Sequence, residues 1–188
     1  CCWMKTLSIA VIGTGYVGAV TGGCLAELGH TIRFVGRDQK KLDMLNSGRS
    51  PIFEQGLDEL LKKNQKSIST TTDLFRAVQE ADLTFICVGT PSKEDGSIDL
   101  RQINDVSLTI GQALQSSSTY PVIIVKSTVV PGTTENLVIP HLEKESGKSA
   151  FKDFGVASNP EFLKEGTAVD DFFHADRVVI GVNDESSR

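Results

Sequence analysis

Clusters of basic residues are missing from this sequence. Its 19 Lys and Arg are outnumbered by 24 Asp and Glu, for a net charge of −5. A phosphate backbone is gripped by cations gathered into a stripe, so no nucleic-acid partner is expected. Cysteine is scarce too: Cys1, Cys2, Cys24 and Cys87 follow neither zinc-ligand nor disulfide spacing, and no metal is expected. Cys24 and Cys87 fall inside apolar segments and read as small buried hydrophobes. Unpaired thiols and the lack of an N-x-S/T sequon suit a cytoplasmic protein. A long unbroken apolar span is also lacking. Residues 7–26 are uncharged, but Gly13, Gly15, Gly18, Gly22 and Gly23 divide them into short blocks. A strand turning into a helix accounts for that better than a signal peptide or a membrane span.

What is present alternates between two periodicities. Residues 7–12 form a short apolar run that ends at glycine, the pattern of a buried parallel strand. Val17, Val20, Cys24, Leu25 and Leu28 then recur at three- and four-residue spacing, one face of a helix that Gly29 stops. The same reading predicts strands at 31–35, 68–72, 83–88, 122–125, 154–157 and 177–182. It predicts helices at 39–45, at 73–80 with Thr72 or Asp73 as the cap, at 99–114 and at 133–144. Strands separated by helices are βαβ units. The expected fold class is therefore α/β: a doubly wound, Rossmann-like, mostly parallel sheet with helices on both faces. Residues 1–188 read as one domain, without repeats or long linkers. A further helix ordinarily follows the last strand of such a fold, so the polar ending at 183–188 reads as a truncation.

Between the first strand and the first helix stands Gly13-Thr14-Gly15-Tyr16-Val17-Gly18. A G-x-G-x-x-G string is weak alone, but this one ends a strand and opens a helix inside a βαβ unit. Gly13 permits the tight turn, Gly15 lets backbone approach a pyrophosphate, and Gly18 lets helix and strand pack closely. The diphosphate meets free amides and the positive end of the helix dipole. The second strand should then end in an acidic residue that holds the adenosine ribose. Here it ends in Gly36-Arg37-Asp38. Gly36 accepts no hydrogen bond, and Arg37 suits a 2′-phosphate or adenine stacking, while Asp38 remains a ribose candidate. NAD and NADP both stay open.

Four further strings follow in order: Phe85-Ile86-Cys87-Val88-Gly89-Thr90-Pro91, Lys126-Ser127-Thr128-Val129-Val130-Pro131-Gly132-Thr133, Asn159-Pro160-Glu161-Phe162-Leu163-Lys164-Glu165-Gly166 and Asp176-Arg177-Val178-Val179-Ile180-Gly181. The carboxyl ends of strands border the ligand crevice of an open α/β sheet, so Thr90 and Thr128 are placed for cofactor or a bound water. Capping of the next helix is the other reading of both. Glu161 and Glu165, four apart, share a face if they lie on a helix, and suit proton handling or a sugar hydroxyl. Two solvated carboxylates are the plainer reading.

Together with Gly-Tyr-Val-Gly, these strings resemble the UDP-glucose/GDP-mannose dehydrogenase family, from the first strand to the end of the chain. The resemblance implies oxidation of a sugar 6-hydroxyl in two hydride transfers to NAD. A cysteine captures the aldehyde as a thiohemiacetal, and water hydrolyses the resulting thioester to the uronic acid. Gly13, Gly15 and Gly18 of the bend, with Gly36 and Arg37 after the second strand, are the dinucleotide contacts read from the residues themselves; carried over by motif, Tyr16, Val17, Lys41, Thr90 and Thr128 join them. Thr128, Glu161 and Glu165 form the catalytic set. Glu161, Phe162, Leu163, Lys164 and Glu165 line the sugar-nucleotide site.

The family's nucleophilic cysteine belongs to a later segment, and Cys87, inside a strand, is no substitute. The chain is thus expected to bind dinucleotide without turning over. UDP-glucose, oxidised to UDP-glucuronate, is the first choice of substrate, GDP-mannose the second and UDP-N-acetylmannosamine the third. A nucleotide-binding module without chemistry is the alternative from another class. The resemblance also implies a homo-oligomer for the full-length protein. Two departures from the family's pattern stand out: Gly36-Arg37 where it shows a Val-Asp ending, and Glu54-Gln55-Gly56-Leu57 where it carries Glu-Pro-Gly-Leu.

Overall fold

Alternation along the first strand sets up two cores. Ser8–Ile12 (β1) turns Ile9 and Val11 to one side and Ala10 and Ile12 to the other, and all four are buried in the computed structural model, which describes residues 5–182. Parallel neighbours flank β1: Thr31–Val35 (β2) on one side and Leu83–Ile86 (β4) on the other. Ile68–Thr71 (β3) extends the sheet beyond β2, and Val122–Val125 (β5) and Gly155–Ser158 (β6) extend it beyond β4. The order is β3-β2-β1-β4-β5-β6-β7, in which Gly181–Val182 (β7) runs antiparallel to β6. The strand order across the sheet reverses between β1 and β4, which opens a crevice at their carboxyl ends.

Tyr16–Glu27 (α1), Gln39–Asn46 (α2) and Leu57–Lys63 (α3) contribute to the core on the Val11 side. Leu74–Gln79 (α4), Arg101–Leu114 (α5) and Ile139–Ser146 (α6) cover the Ile12 side. Small residues let α1 lie close to its neighbours: a Cβ at Gly22 would strike the Phe34 ring of β2, and one at Gly23 would come within 2.9 Å of Leu57 in α3.

Residues 7–26, the uncharged stretch, are β1 and α1, and among the described residues no helix is long and apolar enough to cross a membrane. Four local expectations change. The strand expected at 177–182 is only the two-residue β7, with Val178, Val179 and Ile180 exposed ahead of it. The helix expected at 133–144 opens as a π turn over Thr134–Val138, because Pro140 has no N–H to give the turn before it. Asp73, not Thr72, caps α4, accepting from the Arg76 amide at 3.0 Å. Two short helices were not foreseen, α3 and Ala168–Phe173 (α7).

Candidate functional site

The glycine bend sits at the mouth of the crevice. The Gly13 amide donates to the Val35 carbonyl at 2.9 Å, and its φ of 112° is one that side chains resist. A Cβ there would also enter the Cys87 carbonyl at the end of β4, and one at Gly18 would enter the Gly13 carbonyl. Gly15 differs, because nothing lies within 4 Å of where its Cβ would stand. That open space is the cradle. No side chain caps α1 and no acidic residue stands in its first turn, so its leading amides face the opening. Such a surface fits a diphosphate, by close backbone approach and by the helix dipole.

A cavity of about 540 Å³ runs from this bend along the strand ends. Gly13, Gly15, Tyr16, Val17, Gly36, Arg37, Thr90 and Thr128 all border it, with Asp38 as its one acid and Arg37 as its one base. Gly18 lies beneath, serving the packing. Lys41 is not on the wall; its amide and that of Lys40 donate to the Asp38 carboxylate, which caps α2.

The far wall joins the ends of β4 and β5. The Thr90 hydroxyl donates to the Thr128 carbonyl at 2.6 Å, and the Ser127 hydroxyl donates to the Val88 carbonyl at 2.7 Å. Thr90 therefore ties two strand ends together and does not cap a helix. Thr128 borders both this cavity and a neighbouring one of about 420 Å³, which reaches Glu161. Cys87 beside it is buried, and burial pushes its thiol up to about 12, with Lys126 pulling the other way. Cys24 is buried as well, and burial, then the charge of Glu27, pushes it up to about 12. Neither is a nucleophile at neutral pH.

A larger cavity of about 890 Å³ opens on the α1 side of β4 and β5, walled by Thr21, Phe85, Lys126 and residues 159–164. Phe162, Leu163 and Lys164 are here, and Glu161 stands between this cavity and the one reaching Thr128. It is the more spacious of the two, but the exposed amides belong to the cavity at the bend. Lys126 is 7% exposed; burial lowers its pKa, while the charge of Glu161 works against that. Its ammonium donates to Asn159 Oδ1 at 3.0 Å, and Asn159 Nδ2 donates to the Val179 carbonyl at 2.9 Å.

Glu161 and Glu165 are not on a helix. Residues 161–164 are irregular, and α7 begins only at Ala168. The Glu161 carboxylate turns back to accept from the Leu163 amide at 2.7 Å, a local bond that replaces the expected helical turn. Glu165 is exposed and borders none of these three cavities, although its charge is felt by Tyr16.

What places this loop is Glu54, which the sequence did not mark. It is 6% exposed and accepts from the Tyr16 hydroxyl, from the Gly166 amide at 2.8 Å and from the Ala168 amide at 3.0 Å. Burial pushes its pKa up, but the bonds from Tyr16, Gly166 and Ala168 outweigh it and hold the carboxyl below the ordinary glutamate value. Tyr16 moves the other way, raised by burial and then by the carboxylate beside it. The signal available was a carboxylate in an apolar, glycine-containing turn. Among the described residues, no group of three His, Cys, Asp or Glu is placed to hold a metal ion.

Comparison with known proteins agrees with this geometry. Over 186 residues the chain is 49% identical to GDP-mannose 6-dehydrogenase of Pseudomonas savastanoi pv. phaseolicola, covering 96% of the chain and 42% of the relative. It is 43% identical over 186 residues to a UDP-glucose 6-dehydrogenase of Bacillus subtilis, covering 96% of the chain and 40% of the relative. A ternary complex of GDP-mannose dehydrogenase from Pseudomonas aeruginosa superposes with a TM-score of 0.93 at 46% identity, over 96% of this chain and 42% of that one. The chain thus spans about two fifths of the length of these relatives. The sequence profile of the UDP-glucose/GDP-mannose dehydrogenase family, NAD-binding domain, matches residues 7–188, and to that family the chain belongs.

Proposed function

We propose that this chain is the dinucleotide-binding part of a nucleotide-sugar 6-dehydrogenase. The observation that carries the reading is the uncapped start of α1 behind a bend with open space at Gly15, set where the strand order reverses between the parallel strands β1 and β4. A nicotinamide dinucleotide held there would supply the hydride acceptor for oxidation at the sugar C6. The chain's own residues position and exclude. First-turn amides of α1 hold the diphosphate, and the β4–β5 link through Thr90 fixes the wall on which Thr128 stands. Thr128 is placed to orient a hydroxyl or a water between the cavity at the bend and Glu161. One Glu161 oxygen is taken by the Leu163 amide, which leaves the other to receive a proton. Phe162, Leu163 and Lys164 line the space for the sugar nucleotide. Glu165 stands outside this space, and its charge reaches the site only through Tyr16.

UDP-glucose was the first expectation for the substrate. The higher identity to GDP-mannose 6-dehydrogenase, 49% against 43%, supports GDP-mannose ahead of it. Both described cysteines are buried, so the chain is proposed to bind without forming uronate. The test is a titration with reduced dinucleotide, read by nicotinamide fluorescence, on the chain and on Gly15→Val. Because the added side chain has open space, the variant should unfold within about 0.5 kcal/mol of the parent, in keeping with a substitution that displaces nothing. Its affinity should fall at least roughly 100-fold, the loss expected when a charged ligand's amides are obstructed. Undiminished binding by Gly15→Val would place the dinucleotide elsewhere.

A further inference from the structure

We propose that this chain prefers the 2′-phosphorylated dinucleotide, NADP, and selects it with Arg37. The inference rests on the dinucleotide reading above and concerns only its adenosine end. In a βαβ nucleotide site, the adenosine ribose lies beyond the end of the second strand, where a carboxylate takes its hydroxyls. Here that position is Gly36, directly after β2. No carboxylate fits there without movement: a Cβ at Gly36 would lie 3.0 Å from Thr14 Cγ2, 3.2 Å from Thr14 Oγ1 and 3.3 Å from Leu42 Cδ2. Thr14 is itself buried, so a side chain at this position would have to press against it from its first carbon.

The remaining acid on this cavity wall, Asp38, is engaged through one of its two oxygens. Asp38 Oδ1 accepts from the Lys40 amide at 3.0 Å and from the Lys41 amide at 3.3 Å, which fixes the carboxylate as the cap of α2. A ribose diol is therefore offered no carboxylate with both oxygens free. It is offered a guanidinium instead. Arg37 borders the cavity with its side chain 82% exposed, and its partner is Asp105 at a loose 4.0 Å, itself 58% exposed. An exposed pair of that kind is held weakly and yields readily to a better acceptor. A phosphate monoester is such an acceptor, because its oxygens match the fork of the guanidinium two at a time. The Asp38 carboxylate opposes the phosphate from nearby, but the α2 dipole and the two capping amides offset its charge. The hydroxyls of Thr14 and Thr72 border the same cavity and supply neutral donors.

The experiment compares ligands that differ only in this phosphate. The chain is titrated by calorimetry with 2′,5′-ADP and 5′-AMP, which probe the adenosine end alone, and with NADPH and NADH. The phosphorylated member of each pair should bind roughly 10- to 100-fold more tightly, the range for one charge-assisted contact, with the ratio shrinking as salt is raised. Arg37→Ala, at an exposed position that threatens no packing, should bring both ratios close to one, and Arg37→Lys should keep part of each. NADH binding as tightly as NADPH, or a preference that survives in Arg37→Ala, overturns the assignment and leaves the dinucleotide reading standing. Failure of all four ligands to bind overturns both.

Discussion

At the Gly13–Gly18 bend, position is set by neighbours: a strand end, a turn and the first residues of a helix. Beyond β6 it is set from a distance, since the loop that carries Glu161 to Gly166 is fastened by Glu54, 112 residues away from the Gly166 amide. The bend is made of backbone and has little freedom to be anything else. The loop hangs on one buried carboxylate, on the Tyr16 hydroxyl, which also reaches the Lys164 carbonyl, and on the Lys126–Asn159 contact. A cleft whose two sides are held so differently should respond differently to damage. The bend should fail with the whole domain, and the loop should fail alone.

The largest effect is expected at Gly18. Its Cβ would enter the Gly13 carbonyl, and neither the helix nor the bend can give way without moving β1 from β4. Gly18→Ala should cost about 3 kcal/mol or more, the upper range for overpacking against backbone, measured by chemical denaturation. Dinucleotide binding should be lost with it. Three residues earlier, Gly15→Val should cost almost nothing in stability, so the pair separates a glycine kept for packing from one kept for the ligand. Equal stability in the two variants would end that distinction.

Next is Glu54→Gln. The carboxylate receives three donors, the Tyr16 hydroxyl and the Gly166 and Ala168 amides, whereas an amide side chain has one acceptor oxygen and must face a donor with its NH₂. Leaving a buried donor unmet should cost about 2 kcal/mol. Hydrogen exchange should quicken at Gly166, Ala168 and the turns of α7, while amides of β1 and β4 keep their protection. Uniform loss of protection would mean that the loop and the sheet are one cooperative unit after all.

The same division governs what the sequence disclosed. Strands β1, β2, β4 and β5 are legible because apolar runs bounded by glycine or polar residues are short-range signals. The bend is legible for the same reason, and so are the buried Cys24 and Cys87. Helices α3 and α7 escaped because seven and six residues are too few to show a 3.6 period and neither opens on a side-chain cap of the kind that Asp73 gives the equally short α4. The helical reading of Glu161 and Glu165 failed because spacing alone cannot see that Glu161 bonds to Leu163 across a turn. Pro160, just before it, also keeps Asn159 out of helical geometry. Glu54 was noticed only as part of a turn with glutamine in place of proline. Its role depends on Gly166 and Ala168, and no local pattern could have joined them.

The smallest effect, and the finest probe of the loop's fastening, is pH. Glu54 has a folded pKa below the ordinary 4.5, so the stability it supplies is fully present above that value and fades as pH falls through the depressed one. Tyr16 is raised above its ordinary 10.0, so its share is intact below pH 10 and is lost as pH rises toward the folded value. Tyr16→Phe removes one donor from the carboxylate and should cost about 1 kcal/mol at neutral pH. Two changes in the pH profile should accompany that loss. Acid unfolding should begin at a higher pH, because Glu54 has lost a bond that favoured its charged form. Above pH 10 the gap between variant and parent should close, because only the parent has a phenol whose ionisation unfolding relieves. A constant gap from pH 7 to pH 11 would mean that the Tyr16 hydroxyl does not donate to the Glu54 carboxylate in solution, and that Glu54 holds the loop through the Gly166 and Ala168 amides alone.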